Sequence, residues 1–248
     1  MLILELMIHG WTRQYARIRK EFGYKEHEDL RAARLLNKII QKQDLAKLKT
    51  LKASPVFVIG SGPSLKFAIP ILKKYKKIIK ICADTALEEL VKNKIHPEFI
   101  VTDLDGNLNL IKNASKSSTI IVHAHGDNIQ KLEIVKNFQN VIGTTQTKKT
   151  GKITNFGGFT DGDRCVFLAS SFEASKIFLF GMDFGPKIGT YSKTKKSERK
   201  IKLKKLEFAK MLLEWFAPKS KSELYTLSKP IKGFKKITYR ELEHRVSS

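Results

Sequence analysis

The spacing of apolar and polar positions changes near residue 53. Before it, Trp11, Ile18 and Phe22, then Leu30, Ala33, Leu36 and Ile40, recur at helical intervals with charges between them, which predicts helices over residues 1–52. After it come short apolar, largely β-branched runs, VFVIG, IIKICA, EFIVT, TIIVHA, NVIG and KIFLFG, separated by helix-length segments. That alternation predicts βαβ units and a parallel sheet. Beyond Pro186 a basic segment containing YSKTKKSERK precedes a periodicity through Leu203, Leu206, Phe208, Met211, Leu212 and Phe216, which predicts an amphipathic helix. The lysines there read as a solvated helix face in preference to a loop over a site. The tail, ELYTLS and IKGFKKITYRELE, predicts a short strand, a glycine-containing turn and the start of a last helix. The expected fold is α/β: a mostly parallel Rossmann-like sheet with helices on both faces. It is read as a single domain over 1–248, with a helical N-terminal addition (1–52), an α/β core (53–186) and a C-terminal helix and tail (187–248).

Composition narrows the function without fixing it. A chain of 248 residues with 42% hydrophobic content can bury a core. No run reaches the roughly 18 apolar residues of a membrane span, and the opening MLILELMIHGW is interrupted by Glu5, so no membrane partner and a cytoplasmic location are expected. Cys82 and Cys165 lack metal-type spacing and read as reduced core residues. The net charge of +23 favours polyanionic partners, or reflects a lysine-rich proteome; the basic residues are spread along the chain, which favours neither.

The candidate chemistry follows the strands. VFVI runs into GSGPS, IIKIC into ADTA, EFIV into TDLDGN, TIIV into HAHGDN and IFLF into GMDFG. In a parallel sheet these polar clusters share one edge, where ligands bind. Gly60, Ser61, Gly62, Pro63 and Ser64 open a helix and are expected to turn backbone amides towards an anion, although Leu65 stands where a dinucleotide fingerprint has its third glycine. Asp103 and Asp105, two apart on an extended segment, are expected to face one Mg²⁺. Asp84 and Asp161 read as members of the same site or as helix caps, the site being favoured; Asp163 reads as a cap. His123, His125 and Asp127 end a strand, with histidine as base, substrate contact or packed side chain. Asp183 either meets substrate or holds the Gly181–Gly185 turn.

These residues carry a resemblance. ADTA, PEFIVTDLDG and FTDGDR are similar, in order, to the ADGG, P-x-x-I-x-G-D-x-D-S and T-D-x-x-K patterns of thiamin pyrophosphokinases. Thr85 and Ala86 replace two glycines, Gly106 replaces a serine, and a thiamin-binding all-β domain is not visible, which argues against thiamin. From the Trp11 region through GSGPSL, TDLDGN, HAHGDN, GGFTDGDR and FGMDFG to the tail, the chain more closely resembles the archaeal 6-hydroxymethyl-7,8-dihydropterin pyrophosphokinases, the MptE-like family. The resemblance implies transfer of a diphosphate from ATP to a reduced hydroxymethylpterin, with release of AMP and with Mg²⁺ as cofactor. It implies metal or polyphosphate roles for Asp84, Asp103, Asp105 and Asp161, a phosphate contact for Arg164, Thr160 beside the nucleotide, and His125 or Asp127 as base. Both substrates are small molecules; self-association into a homo-oligomer stays open. The alternatives are a nucleotide-sugar glycosyltransferase of the flagellin-modifying type, sharing a GSGPSL-like segment, and, ranked last, a nucleic-acid binder.

Overall fold

The computed structural model describes residues 8–186, 189 and 196–247. Its framework is one sheet of eight strands, all parallel, in the order β5-β4-β3-β2-β1-β6-β7-β8. The strands are β1 (Pro55–Ile59), β2 (Ile79–Ala83), β3 (Phe99–Thr102), β4 (Thr119–Ala124), β5 (Val141–Thr145), β6 (Lys176–Phe180), β7 (Glu223–Thr226) and β8 (Lys235–Lys236). The first six coincide with the apolar runs. β7 is the short strand expected in ELYTLS, β8 is a further short one after the turn, and both extend the same sheet.

The strands read as unbroken apolar runs because both faces are covered. Phe57, Ile59, Cys82, Ile100, Ile120, Val122, Phe178 and Phe180 point into one core, with α2 (Glu26–Ile39), α3 (Leu65–Lys74), α4 (Asp84–Lys92), α5 (Leu108–Ala114) and α8 (Tyr239–Ser247). Their neighbours Val56, Val58, Ile81, Phe99, Val101, Ile121, Ile177 and Leu179 point into the other, with α1 (Trp11–Phe22), α6 (Asp161–Ser171) and α7 (Arg199–Phe216).

The handedness of parallel crossovers explains this division. From β1 the chain steps outward to β5, then returns across the sheet to β6 beside β1; reversing the direction of travel puts the right-handed crossover on the opposite face. The switch between β1 and β6 is where a ligand crevice is expected.

Two connections depart from expectation. Residues Gly126–Asn137, between β4 and β5, form a 3-10 run rather than an α-helix, packed against α2, which already occupies that part of the face. Leu45–Leu51 is likewise 3-10. The YSKTKKSERK reading lies partly outside the described residues, as does the start of MLILELMIHGW. Among the described residues no helix is long and apolar enough to cross a membrane.

Candidate active site

A cleft of about 790 Å³ opens along the C-terminal edge of the sheet, lined by residues after β1, β2, β3 and β6, by the start of α6, and by one side of α7. On its wall Asp84, Asp103 and Asp161 bring one carboxylate oxygen each within 4.8 Å of one another. Asp84 and Asp161 are the first residues of α4 and α6, where a carboxylate complements the helix dipole, and Asp103 follows β3. Cap position and site membership are therefore not alternatives for these two.

Asp105 is elsewhere. The expectation that Asp103 and Asp105 face one cation assumed an extended segment, but Leu104 adopts φ +68°, so the alternation fails. The turn is built on Asp84: Thr102 Oγ1 donates to Asp84 Oδ2 at 2.7 Å and accepts from the Leu104 N–H at 2.8 Å, and the Gly106 N–H donates to the same Oδ2 at 3.1 Å. A Cβ at Gly106 would stand 2.9 Å from the Asp84 carboxyl carbon, which accounts for glycine there. The Asp105 carboxylate, 66% exposed, pairs with Lys131 at the rim.

The triad's environment separates its protonation states. Burial first, then the charge of Asp103, raises the Asp84 carboxyl to about 7, against the hydrogen bonds from Thr102 and Gly106. Burial and the two neighbouring carboxylates push Asp161 well above its usual range, although Arg164 Nη1 donates to its Oδ1 at 3.0 Å. Burial alone would raise Asp103 too, but His125, Arg164 and Lys202 outweigh it and hold Asp103 below the ordinary carboxylate range. Three carboxylates this close cannot all ionise unaided. Asp84 Oδ1, buried, has no hydrogen-bond partner. A hard divalent cation would satisfy that oxygen and replace the protons, and an all-carboxylate donor set suits Mg²⁺.

A pH dependence follows. The Asp84 carboxyl titrates near the ordinary aspartate value of 3.8 when unfolded and at about 7 when folded. Between those values folding takes up a proton, so cation-free protein loses up to about 1.4 kcal/mol of stability per pH unit as pH rises through that window, with no further loss above it. Asp84→Asn removes the titration. In EDTA, the melting temperature of the variant relative to wild type is expected to rise between about pH 5 and pH 7 and to level off beyond. A difference independent of pH contradicts the raised carboxyl.

The histidines stand behind the triad. His125 Nδ1 accepts the Asp127 N–H at 3.3 Å, which leaves the ring proton on Nε2, 3.8 Å from Asp103 Oδ2. Neither His125 nor Asp127 is among the residues lining the cleft; His125 stands next to it, behind Asp103. His123 is buried against Thr144, 3.1 Å from its hydroxyl, and burial with the Arg164 charge pushes it well below its usual value: a neutral packed ring. The Gly126 N–H, next to His125, donates to Asp29 Oδ1 at 2.7 Å, and Asp29 Oδ2 accepts from Tyr15 and Gln146 at 2.6 and 2.8 Å. The N-terminal helices, which carry no recognisable motif, thus fix the segment that faces Asp103.

The glycine loop also differs from expectation. Gly60, Ser61, Gly62 and Pro63 line the cleft, but the Gly60 and Gly62 amides donate to Phe180 O and Gly181 O, each at 2.8 Å, and the Ser64 amide donates to Asp183 Oδ2 at 2.8 Å. Those amides are spent on β6 and its loop and are not free for an anion. Asp183 is what holds the loop. Thr160 lines the cleft, and Asp163 caps α6 by accepting from the Phe159 and Thr160 amides, each at 2.7 Å. Lys131, Lys202 and Lys205, which no motif singled out, also line the cleft; for the two on α7 the only signal is that Ile201, Lys202, Lys205 and Leu206 fall on one face of the helix.

Comparison with known proteins places the chain in a family. Residues 31–189 match the family described as 6-hydroxymethylpterin diphosphokinase MptE-like. The 6-hydroxymethyl-7,8-dihydropterin pyrophosphokinase of Pyrococcus furiosus is 41% identical over 228 residues, 88% of this chain and 97% of that protein. The protein of the same name from Methanocaldococcus jannaschii is 40% identical over 233 residues, 86% of this chain and 97% of that protein. Among solved structures, the Maf glycosyltransferase of Magnetospirillum magneticum aligns at a TM-score of 0.60 and 17% identity over 86% of this chain, but only 38% of the larger protein, a likeness of fold. The match over residues 31–189 and the identity to relatives along nearly their whole length establish that the chain belongs to the MptE-like family of 6-hydroxymethylpterin diphosphokinases.

Proposed function

We propose that the protein is a cytoplasmic, Mg²⁺-dependent pyrophosphokinase that transfers the terminal diphosphate of ATP to the hydroxymethyl group of 6-hydroxymethyl-7,8-dihydropterin. The observation that carries the reading is the carboxylate triad at the cleft, buried at Asp84 and half-buried at Asp103 and Asp161, with Asp84 Oδ1 unpartnered; relatives named for this reaction support the choice of substrate.

In the reaction the substrate hydroxyl oxygen forms a bond to the β-phosphorus, the bond from that phosphorus to the α,β-bridging oxygen breaks, AMP leaves with the bridging oxygen, and the hydroxyl proton passes to solvent. Asp84, Asp103 and Asp161 would hold the cation, which supplies charge neutralisation on the phosphate oxygens. Arg164, buried against Asp161, keeps that carboxylate aimed at the site. The remaining contribution of the chain is positioning: a cleft of about 790 Å³ that holds donor and acceptor in line. Residues 1–248 act as one catalytic unit, the N-terminal helices bracing the Gly126 segment and α7 closing one side.

Incubation with ATP, Mg²⁺ and 6-hydroxymethyl-7,8-dihydropterin is expected to release AMP and the pterin diphosphate in equal amounts. ADP in place of AMP, or turnover of a nucleotide sugar instead, would overturn the assignment.

A further inference from the structure

Building on the reading of the donor as a nucleoside triphosphate, we propose that α7 supplies a polyphosphate subsite, in which the ammonium groups of Lys202 and Lys205 face the carboxylate triad across the cleft, with Lys131 at its rim. The three lysines share the cleft with the triad but come from other elements, α7 and the Gly126–Asn137 run.

The two α7 lysines differ from their neighbours on the same helix. Lys204 pairs with Glu21 and Lys210 with Glu214, on the outer surface. Among the described residues neither Lys202 nor Lys205 forms an ion pair. The Lys205 ammonium instead lies 5.6 Å from the centre of the Tyr24 ring and 6.0 Å from that of Phe159, aromatic faces that orient a cation without neutralising it. Both lysines line the cleft that Asp84, Asp103 and Asp161 line, near enough for their charges to act on Asp103. Glu88 and Glu198, acidic residues on the cleft wall, already have interactions of their own.

Charge balance indicates the ligand. Three carboxylates, one divalent cation and Arg164 sum to zero, so the triad with the cation in place offers Lys202 and Lys205 no net counter-charge. Phosphate oxygens are strong acceptors for ammonium groups, and a triphosphate offers more of them, spread along a chain, than a monophosphate does. Asp105 then holds Lys131 at the rim until phosphate arrives.

The test titrates sodium tripolyphosphate, with Mg²⁺, into wild-type protein and into a Lys202→Met/Lys205→Met double variant, which keeps the apolar stems. Lys210→Met, on the outer surface of α7, is the control for bulk charge. The double variant is expected to bind tripolyphosphate about 10- to 100-fold more weakly per lysine, as for loss of a charge-assisted contact, at an unchanged melting temperature, with Lys210→Met within about twofold of wild type. Unchanged affinity in the double variant, an equal fall in Lys210→Met, or no binding by wild type overturns the subsite. Lysine-dependent binding without AMP release retains the subsite and removes the pterin reaction; AMP release by the double variant at an unchanged KM for ATP does the reverse.

Discussion

Asp103→Asn is expected to lower turnover on the order of 10³-fold, the rate equivalent of several kcal/mol of lost charge stabilisation at a metal site. Asp103 is the carboxylate that His125, Arg164 and Lys202 keep ionised, and its charge is among the causes that raise both of its neighbours. The amide preserves shape but removes the anchor for a cation. Little of the fold depends on that side chain: the structural bond at this position runs from Asn128 Nδ2 to the Asp103 backbone carbonyl, at 2.8 Å, and survives the substitution. The melting temperature should therefore stay within a few degrees of wild type while calorimetric Mn²⁺ binding weakens in parallel with AMP release. Asp105→Asn, which breaks an exposed pair with Lys131, should cost less than about tenfold. An equal loss in the two variants would show that the Asp105 carboxylate leaves Lys131 for the cation, and full activity in Asp103→Asn would remove the metal assignment.

The largest effect on stability is expected at Asp163. The residue is fully buried and its carboxyl accepts the Phe159 and Thr160 amides and the Thr160 hydroxyl. Burial raises its pKa, and those same hydrogen bonds oppose the rise. Asp163→Ala loses a helix cap, worth about 1–2 kcal/mol, and orphans buried donors at about 1–3 kcal/mol each, for a total of about 3–5 kcal/mol. At about 2–4 °C per kcal/mol for a chain of this size, thermal melting should drop by roughly 10 °C. Because the cap sets the Thr160–Asp161 entry to α6, cation affinity should fall as well. A drop below about 3 °C would mean that the entry to α6 is held by other contacts.

The sequence made the sheet legible because every central strand is buried on both faces. VFVI, IIKIC, EFIV, TIIV and IFLF could be read as continuous apolar runs, and their polar followers as one edge. The family was legible too, since its motifs occur in order along most of the chain. Side-chain direction within the motifs was not. D-x-D looked like two ligands until Thr102 and Asp84 bent the chain at Leu104; GSGPS looked like an anion loop until Phe180, Gly181 and Asp183 took the Gly60, Gly62 and Ser64 amides. Asp29 and the α7 lysines sit in segments whose local pattern is that of an ordinary amphipathic helix.

By itself, then, the sequence determined where strands and helices run and which edge of the sheet carries the polar chemistry, because hydrophobic periodicity is a local property of neighbouring residues. Tertiary structure alone decided that Asp84, Asp103 and Asp161 converge while Asp105 turns to Lys131, and that Lys202 and Lys205 line the same cleft. Those outcomes depend on hydrogen bonds and packing between residues far apart in the chain, which set the turn at Leu104 and bring α7 over the cleft.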